Sequence, residues 1–163
     1  MRVKKFILLI MFVFLSTFFS NTCVKASDRT LTEGQNFFII KNDNSLWKWN
    51  HNSGEPVKVM DDVKSVSRNC ILKNDNTLWE LDKESQRYVK ISDEVVSMES
   101  CFSHTLFIKT DKSLWGYGLN DVGLLGDTNE DNIESPVKIA NNVKKVQSGL
   151  YHSVFLKTDG SVW

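Results

Sequence analysis

Lys41-Asn42-Asp43-Asn44-Ser45-Leu46-Trp47 is followed by three further copies of itself: Lys73-Asn-Asp-Asn-Thr-Leu-Trp79, Lys109-Thr-Asp-Lys-Ser-Leu-Trp115 and Lys157-Thr-Asp-Gly-Ser-Val-Trp163. A second block recurs between them, as Pro56-Val-Lys-Val-Met-Asp-Asp-Val-Lys-Ser-Val66, Tyr88-Val-Lys-Ile-Ser-Asp-Glu-Val-Val-Ser-Met98 and Pro136-Val-Lys-Ile-Ala-Asn-Asn-Val-Lys-Lys-Val146. Repetition at a period of a few tens of residues marks an array of small modules, none of which can bury its apolar surface alone. Trp47, Trp79, Trp115 and Trp163 are spaced by 32, 36 and 48 residues, so the units differ in loop length rather than in framework. Three units are complete and a fourth has begun.

Each unit reads as short strands. Apolar runs precede the Lys-x-Asp turn (Phe37 to Ile40, Cys70 to Leu72, Thr105 to Ile108, Ser153 to Leu156), and alternation follows it, as in Trp47-Lys48-Trp49. Alternating large residues lie on one face of a sheet. Asn, Asp and Gly tolerate the positive φ of a tight hairpin, which makes 42–44 and 158–160 turn tips, their aspartates accepting backbone hydrogen bonds. The second block supplies two more strands, with Asp61-Asp62, Asp93-Glu94 and Asn141-Asn142 as the turns between them. Four antiparallel strands per unit make a propeller blade. The expected fold is all-β: an incomplete β-propeller of about three four-stranded antiparallel blades plus the start of a fourth. Closed propellers have about four to eight blades, so 27–163 is expected to be part of a longer array and, expressed alone, to melt poorly. Val66 to Lys73 is 7 residues where Met98 to Lys109 and Val146 to Lys157 are 11, so the first junction is a deletion form.

The N-terminus reads differently. Arg2, Lys4 and Lys5 precede an apolar run of 14 residues from Phe6 to Phe19, and Val24-Lys25-Ala26 ends in a small residue. That order is a secretory signal helix with cleavage after Ala26. The run is shorter than the roughly 20 residues of a membrane-spanning helix. Membrane attachment would require an uncleaved signal or lipidation of Cys23, and Ser20-Asn21-Thr22 is a poor lipidation context. The expected location is therefore secreted or cell-surface. Removing 1–26 shifts the balance from 20 basic and 20 acidic residues to 16 and 20, a net charge of −4. Nucleic-acid binders cluster Lys and Arg against phosphates, and no such patch is present. Cys70 and Cys101 remain; an exported chain could oxidise them to a disulfide, or each could be a buried thiol.

The third unit carries the most specific pattern. Trp115-Gly-Tyr-Gly-Leu-Asn-Asp-Val-Gly-Leu-Leu-Gly126, then Ser135-Pro136-Val137, then Ser148-Gly-Leu-Tyr-His-Ser153 and Asp159-Gly-Ser-Val-Trp163 resemble a full RCC1 repeat. Leu124 stands where that family most often has Gln. In the first two units Lys48 and Glu80 replace the first glycine and the glycine loop is missing, so the resemblance covers about 50 residues well and roughly 80 more as framework. It implies an RCC1-like propeller over 27–163. Propellers of this kind serve as nucleotide exchangers on a small nuclear GTPase, as a secreted β-lactamase inhibitor and as uncharacterised surface proteins.

Candidate chemistry is sparse. Gly116, Gly118, Gly123 and Gly126 punctuate a strand end and a loop, where the backbone turns or approaches a neighbour without a Cβ. Gly116-x-Gly118 is no dinucleotide fingerprint, because position 121 is Asp and no helix follows. His104 and His152 share one repeat position, which predicts a packing role once per blade; His51 lies alone in a polar loop. Asp127-Thr-Asn129-Glu-Asp131 hints at a calcium loop, yet Asn132 and Lys138 stand where Gly and Glu belong. The turn aspartates differ in offset from sialidase Asp-boxes, and Arg29, Arg68 and Arg87 are too few for that chemistry. No cofactor, metal or catalytic set is expected, and the chain reads as non-enzymatic.

Binding is then the expected role, through loops on a rigid scaffold. The polar loop from Leu119 to Ser135 is the candidate face, with Asn120, Asp121, Asp127 and Asn129 as its contact residues. The partner expected is a protein or surface ligand, with inhibition of a secreted enzyme such as a β-lactamase as one version. A carbohydrate-binding propeller, or the non-catalytic part of a hydrolase, is the alternative; exposed loop aromatics would favour it, whereas the aromatics here recur at strand positions.

Overall fold

The computed structural model describes residues 30–33, 36–50, 55–126 and 131–163. Residues 1–26 with Cys23, and His51, Asp127 and Asn129, lie outside the described residues. Those described form fourteen strands and no helix.

Three four-stranded antiparallel sheets follow one another along the chain. Blade 1 holds β1 (Thr30–Glu33), β2 (Asn36–Ile40), β3 (Leu46–Asn50) and β4 (Val57–Met60). Blade 2 holds β5 (Val63–Ser67), β6 (Cys70–Lys73), β7 (Leu78–Asp82) and β8 (Arg87–Ser92). Blade 3 holds β9 (Val95–Ser100), β10 (His104–Lys109), β11 (Leu114–Leu119) and β12 (Asn132–Ala140). Blade 4 begins with β13 (Val143–Ser148) and β14 (Ser153–Lys157), and Val162 already bridges Leu156.

The polar pairs of the second block have a different task from the one their sequence suggests. Asp61-Asp62 joins β4 to β5, two strands that belong to different sheets and do not pair; Asp93-Glu94 and Asn141-Asn142 do likewise. Each pair is a crossing between blades, and its second residue takes a positive φ: Asp62 65°, Glu94 63°, Asn142 60°. The sequence unit is thus offset from the blade by one strand.

Lys-x-Asp turns share one construction. Lys41 N–H donates to the Ser45 carbonyl, Asn44 N–H to that of Lys41, and Asn44 has φ 61°. That is a type I turn closed by a left-handed residue, a favoured three-residue hairpin. Asp43 Oδ1 accepts from Ser45 N (3.0 Å) and Ser45 Oγ (2.6 Å), and Ser45 Oγ accepts from Trp47 Nε1 (2.8 Å). The same relay runs Asp75-Thr77-Trp79, Asp111-Ser113-Trp115 and Asp159-Ser161-Trp163. Lys41, Lys109 and Lys157 place their ammonium groups 3.6, 5.0 and 4.4 Å from the centres of Trp47, Trp115 and Trp163, within cation–π range. The spacing Lys-x-Asp-x-Ser/Thr-x-Trp is therefore a side-chain circuit that fixes the turn and aims the ring.

Packing explains why one blade is not enough. In β6, Cys70 and Leu72 enter the core shared with Phe107 and Leu106, whereas Ile71 between them enters the core shared with Phe38 and Leu46. Leu78 and Trp79 divide in the same way. The two-residue period sends neighbouring side chains to opposite faces, so blade 2 serves two cores. In blade 3, all of β10 from His104 to Ile108 is buried.

Candidate functional site

Every blade has two ends. At one lie the Lys-x-Asp turns and the crossings, tied by recurrent backbone bonds. At the other, the loop end, lie the hairpin tips at 68–69, 101–103 and 149–152 and the β7–β8 and β11–β12 connections. Length varies only at the loop end. β5 and β6 close at Ser67↔Cys70 around two residues, whereas β9 and β10 reach Ser100↔Thr105 and β13 and β14 reach Ser148↔Ser153, each around four. The junction expected to be shortened is the hairpin of blade 2.

The β11–β12 loop is built from its glycines and Asn120. Asn120 is buried, its Oδ1 accepting from Leu125 N at 2.7 Å and its own N–H donating to the Asp131 carbonyl at 2.7 Å. Its carbonyl accepts from Gly123. Asn120 thus staples the loop from within, while Asp121 beside it is exposed. Of the four expected contact residues, Asp121 alone is described as surface. Leu125 lies on Gly116, where an added Cβ would fall 2.8 Å from Leu125, Leu106 and Ile139. Lys48 and Glu80 stand at that position in blades 1 and 2.

His104 and His152 share a sequence position but not an environment. His104 is buried, with Nε2 3.0 Å from Ser153 Oγ of the next blade, and burial lowers its pKa below the ordinary 6.5. His152 is exposed, its ring lying against Gly149. Cys70 is a free thiol, buried and pushed up to about 11 by that burial and by Glu80. With Cys70 free, it and Cys101 do not pair with each other. Tyr117, hydrogen-bonded to Glu80 and 3.6 Å from the Cys70 sulfur, is held protonated by burial and by those neighbours.

What remains exposed at the loop end is apolar to an unexpected degree. Phe102 is 76% and Tyr151 75% accessible, and Leu119, Val122 and Leu150 join them. These side chains were not foreseen, because the aromatics that repeat in sequence are strand tryptophans, while Phe102 and Tyr151 sit on hairpin tips whose residues vary. Two cavities open at the same end, one of about 280 Å³ between blades 2 and 3 and one of about 310 Å³ between blades 3 and 4. Among the described residues no cluster of His, Cys, Asp or Glu could hold a metal, and no helix could cross a membrane.

Stacked four-stranded blades, a glycine loop lying on its own blade and a Gly-x-x-His hairpin together specify one repeat type. Residues 111–156 match the regulator of chromosome condensation (RCC1) repeat. The matched segment runs from the turn before β11 into β14, so the RCC1 repeat straddles blades 3 and 4, as the crossings require. No curated protein sequence matches the chain. Among solved structures it is similar to human WBSCR16 (13% identity, 85% of this chain and 48% of that one, TM-score 0.65). It is also similar to yeast RCC1 (Prp20) bound to Kap60 (18%, 85% and 44%, TM-score 0.64). A third is Prp20p of Saccharomyces cerevisiae, described with its binding to Gsp1p and histones (14%, 86% and 46%, TM-score 0.65). The chain spans less than half the length of each of these three. At such identities the likeness is one of fold: the chain folds as a part of an RCC1-type β-propeller.

Proposed function

We propose that this RCC1-type propeller is an exported, non-enzymatic protein-binding module that engages its partner through the loop end. One observation carries the reading: Phe102, Leu150, Tyr151 and Val122 project apolar surface from hairpins and a loop held on rigid blades. Clustered exposed apolar side chains mark an interaction site; the exposed loop aromatics Phe102 and Tyr151 also meet the condition set for a carbohydrate-binding propeller, and the aliphatic Leu150 and Val122 beside them favour a protein. The yeast proteins of this fold are described with protein partners, which supports the class of function but not any one partner. Export follows from the N-terminal signal pattern, and the −4 charge of 27–163 speaks against a polyanionic ligand. Inhibition of a secreted enzyme is one form this binding could take.

The test uses the purified chain immobilised beside a Phe102→Ser/Tyr151→Ser variant and a Val57→Ser control, each exposed to extracellular and surface proteins and to a glycan array. The expected result is a protein retained by the wild type and the control and lost from the double variant, with no glycan signal. A glycan ligand lost from the double variant would transfer the function to the carbohydrate-binding class. Retention indifferent to the double variant would remove the loop end from the function.

A further inference from the structure

The cleft between blades 2 and 3 is the repeat-equivalent of the groove that blade 3's own loop enters. Ser103, His104 and Thr105 line the first where Tyr151, His152 and Ser153 line the second. In the second groove Leu124 and Leu125 are buried, with Leu125 seated on Gly116. In the first, two shortenings fall on the same blade. The β7–β8 connection is only the turn Lys83 to Gln86, and the β5–β6 hairpin has a two-residue tip. Register places Glu80 opposite Cys70 and Gly116 opposite Leu106, so Glu80 stands where Gly116 would receive a loop. The result is an open cleft of about 280 Å³ with a polar lining.

We infer that this cleft receives a loop of the partner protein, inserted as blade 3's loop is inserted one position along; the inference rests on the protein-binding reading above. A chain segment of about two residues occupies the equivalent place, which sets the depth of insertion. The lining sets its chemistry. Glu80 and Glu134 offer acceptors, Lys83 a cation, and Asn69 and Asn132 both donors and acceptors, beside the exposed Phe102 ring. Arg68 lies over that ring at 5.1 Å, so the charges around the cleft nearly balance. Such a surface fits backbone N–H groups and small polar side chains such as Ser or Asn. It rejects the leucines of blade 3's loop, whose burial there would leave these polar groups unpaired. Near-balanced charge makes the binding only weakly sensitive to salt.

The probe is a phage library of disulfide-constrained heptapeptides selected on the immobilised chain, with an array of neutral oligosaccharides as a second arm. Three variants are compared: Phe102→Ala, a blade-2 hairpin lengthened by inserting Gly-Ser-Gly-Ser between Arg68 and Asn69, and Val57→Ser. Enriched peptides with polar tips are expected, bound about tenfold more weakly by Phe102→Ala, lost from the lengthened hairpin and unchanged by Val57→Ser. Phe102 is an exposed tip residue, so its variant reads binding even where the lengthened hairpin folds poorly. The inference fails if no peptide enriches, if enriched peptides bind all variants alike, or if an oligosaccharide occupies the cleft instead. A natural partner lost with Phe102/Tyr151 but kept by the lengthened hairpin would overturn this inference and leave the proposed function standing.

Discussion

The backbone N–H of Val63 donates to the carbonyl of Asn44 over 2.8 Å, and so joins the first strand of blade 2 to the turn of blade 1. Val95 bonds to Asn76 and Val143 to Lys112 in the same way. A return bond runs from Asn74 to Asp62, from Thr110 to Glu94 and from Thr158 to Asn142. All six carbonyls belong to residues with positive φ. Left-handed backbone at fixed repeat positions is thus what turns each carbonyl toward the neighbouring blade, and the turn end becomes a continuous hydrogen-bonded seam.

Lys112, like Glu94, is a weak link in that seam. It adopts φ 64° where Asn44, Asn76 and Gly160 stand in the other copies. A non-glycine, non-Asx residue in this region bears a conformational cost of roughly 1–2 kcal/mol. Lys112→Asn is expected to stabilise the chain by up to about 1 kcal/mol, read as a higher denaturant midpoint with an unchanged slope. A lower midpoint would mean that the lysine side chain makes a compensating contact.

The turn aspartates predict an acid limb. Asp43, Asp75, Asp111 and Asp159 all lie below the ordinary 3.8, held there first by the Ser or Thr hydroxyl two residues on and then by its backbone N–H. A carboxyl whose folded pKa is depressed contributes stability above its unfolded value and loses it as pH falls through the folded one. Stability is therefore expected to decline below about pH 4, a loss blunted by solvent exposure. Replacing all four with Asn keeps the acceptor and removes the charge, so the decline should flatten in an acid-titrated melt. An equally steep decline in the quadruple variant would assign it to other groups.

How much of this was legible in the sequence depends on the residue. Asp43 and its three copies fix the turns through contacts spanning five residues, and local chemistry of that range can be read from spacing. So can the strand at Cys70 to Leu72, whose apolar run has no other use. The assignment of β4 and β5 to separate sheets was not legible, because Asp61-Asp62 is as suited to a hairpin as to a crossing, and only packing against Phe38 and Leu46 decides. The same holds for His104 and His152, which differ by whether a neighbouring blade covers them. Asn120 belongs to the long polar loop expected to bind, and that its side chain also closes this loop depends on Leu125 folding back to it, which spacing does not show. Phe102 and Tyr151 escaped notice because a binding surface has no reason to repeat.

His104 gives a second pH effect, of separate origin. Its pKa is lowered from 6.5 by burial, so at mildly acid pH the unfolded chain takes up a proton that the folded chain refuses. Stability is expected to fall as pH drops from 7 through 6.5 toward the folded value. His104→Gln should abolish that slope, and Ser153→Ala should cost about 1 kcal/mol by leaving the imidazole nitrogen unpaired across the blade interface. Chemical denaturation at pH 7.0 and 5.5 separates the two variants. A pH slope surviving in His104→Gln would show that another group titrates.

Three glycines should respond to the same substitution in a fixed order. At Gly118 an added Cβ would fall 2.4 Å from the Ser103 carbonyl oxygen and 2.7 Å from His104 Cα, and φ is 112°. Those obstacles are backbone, at the open end of the β10–β11 hairpin where His104 pairs with Gly118, so they cannot step aside. Gly118→Ala is expected to cost about 3 kcal/mol or more. At Gly116 the obstacles, at 2.8 Å, are the flexible ends of Ile139, Leu106 and Leu125; Gly116→Ala should cost about 1–2 kcal/mol and loosen the β11–β12 loop by lifting Leu125. Gly160 has nothing within 4 Å and only its φ of 89° to lose, which predicts about 1 kcal/mol. Thermal melts of the three variants check the order, and protease cleavage in the β11–β12 loop should rise most in Gly116→Ala. If Gly160→Ala proved the most damaging, backbone conformation at the turns, rather than close packing of the hairpin against its neighbours, would be what these blades need most.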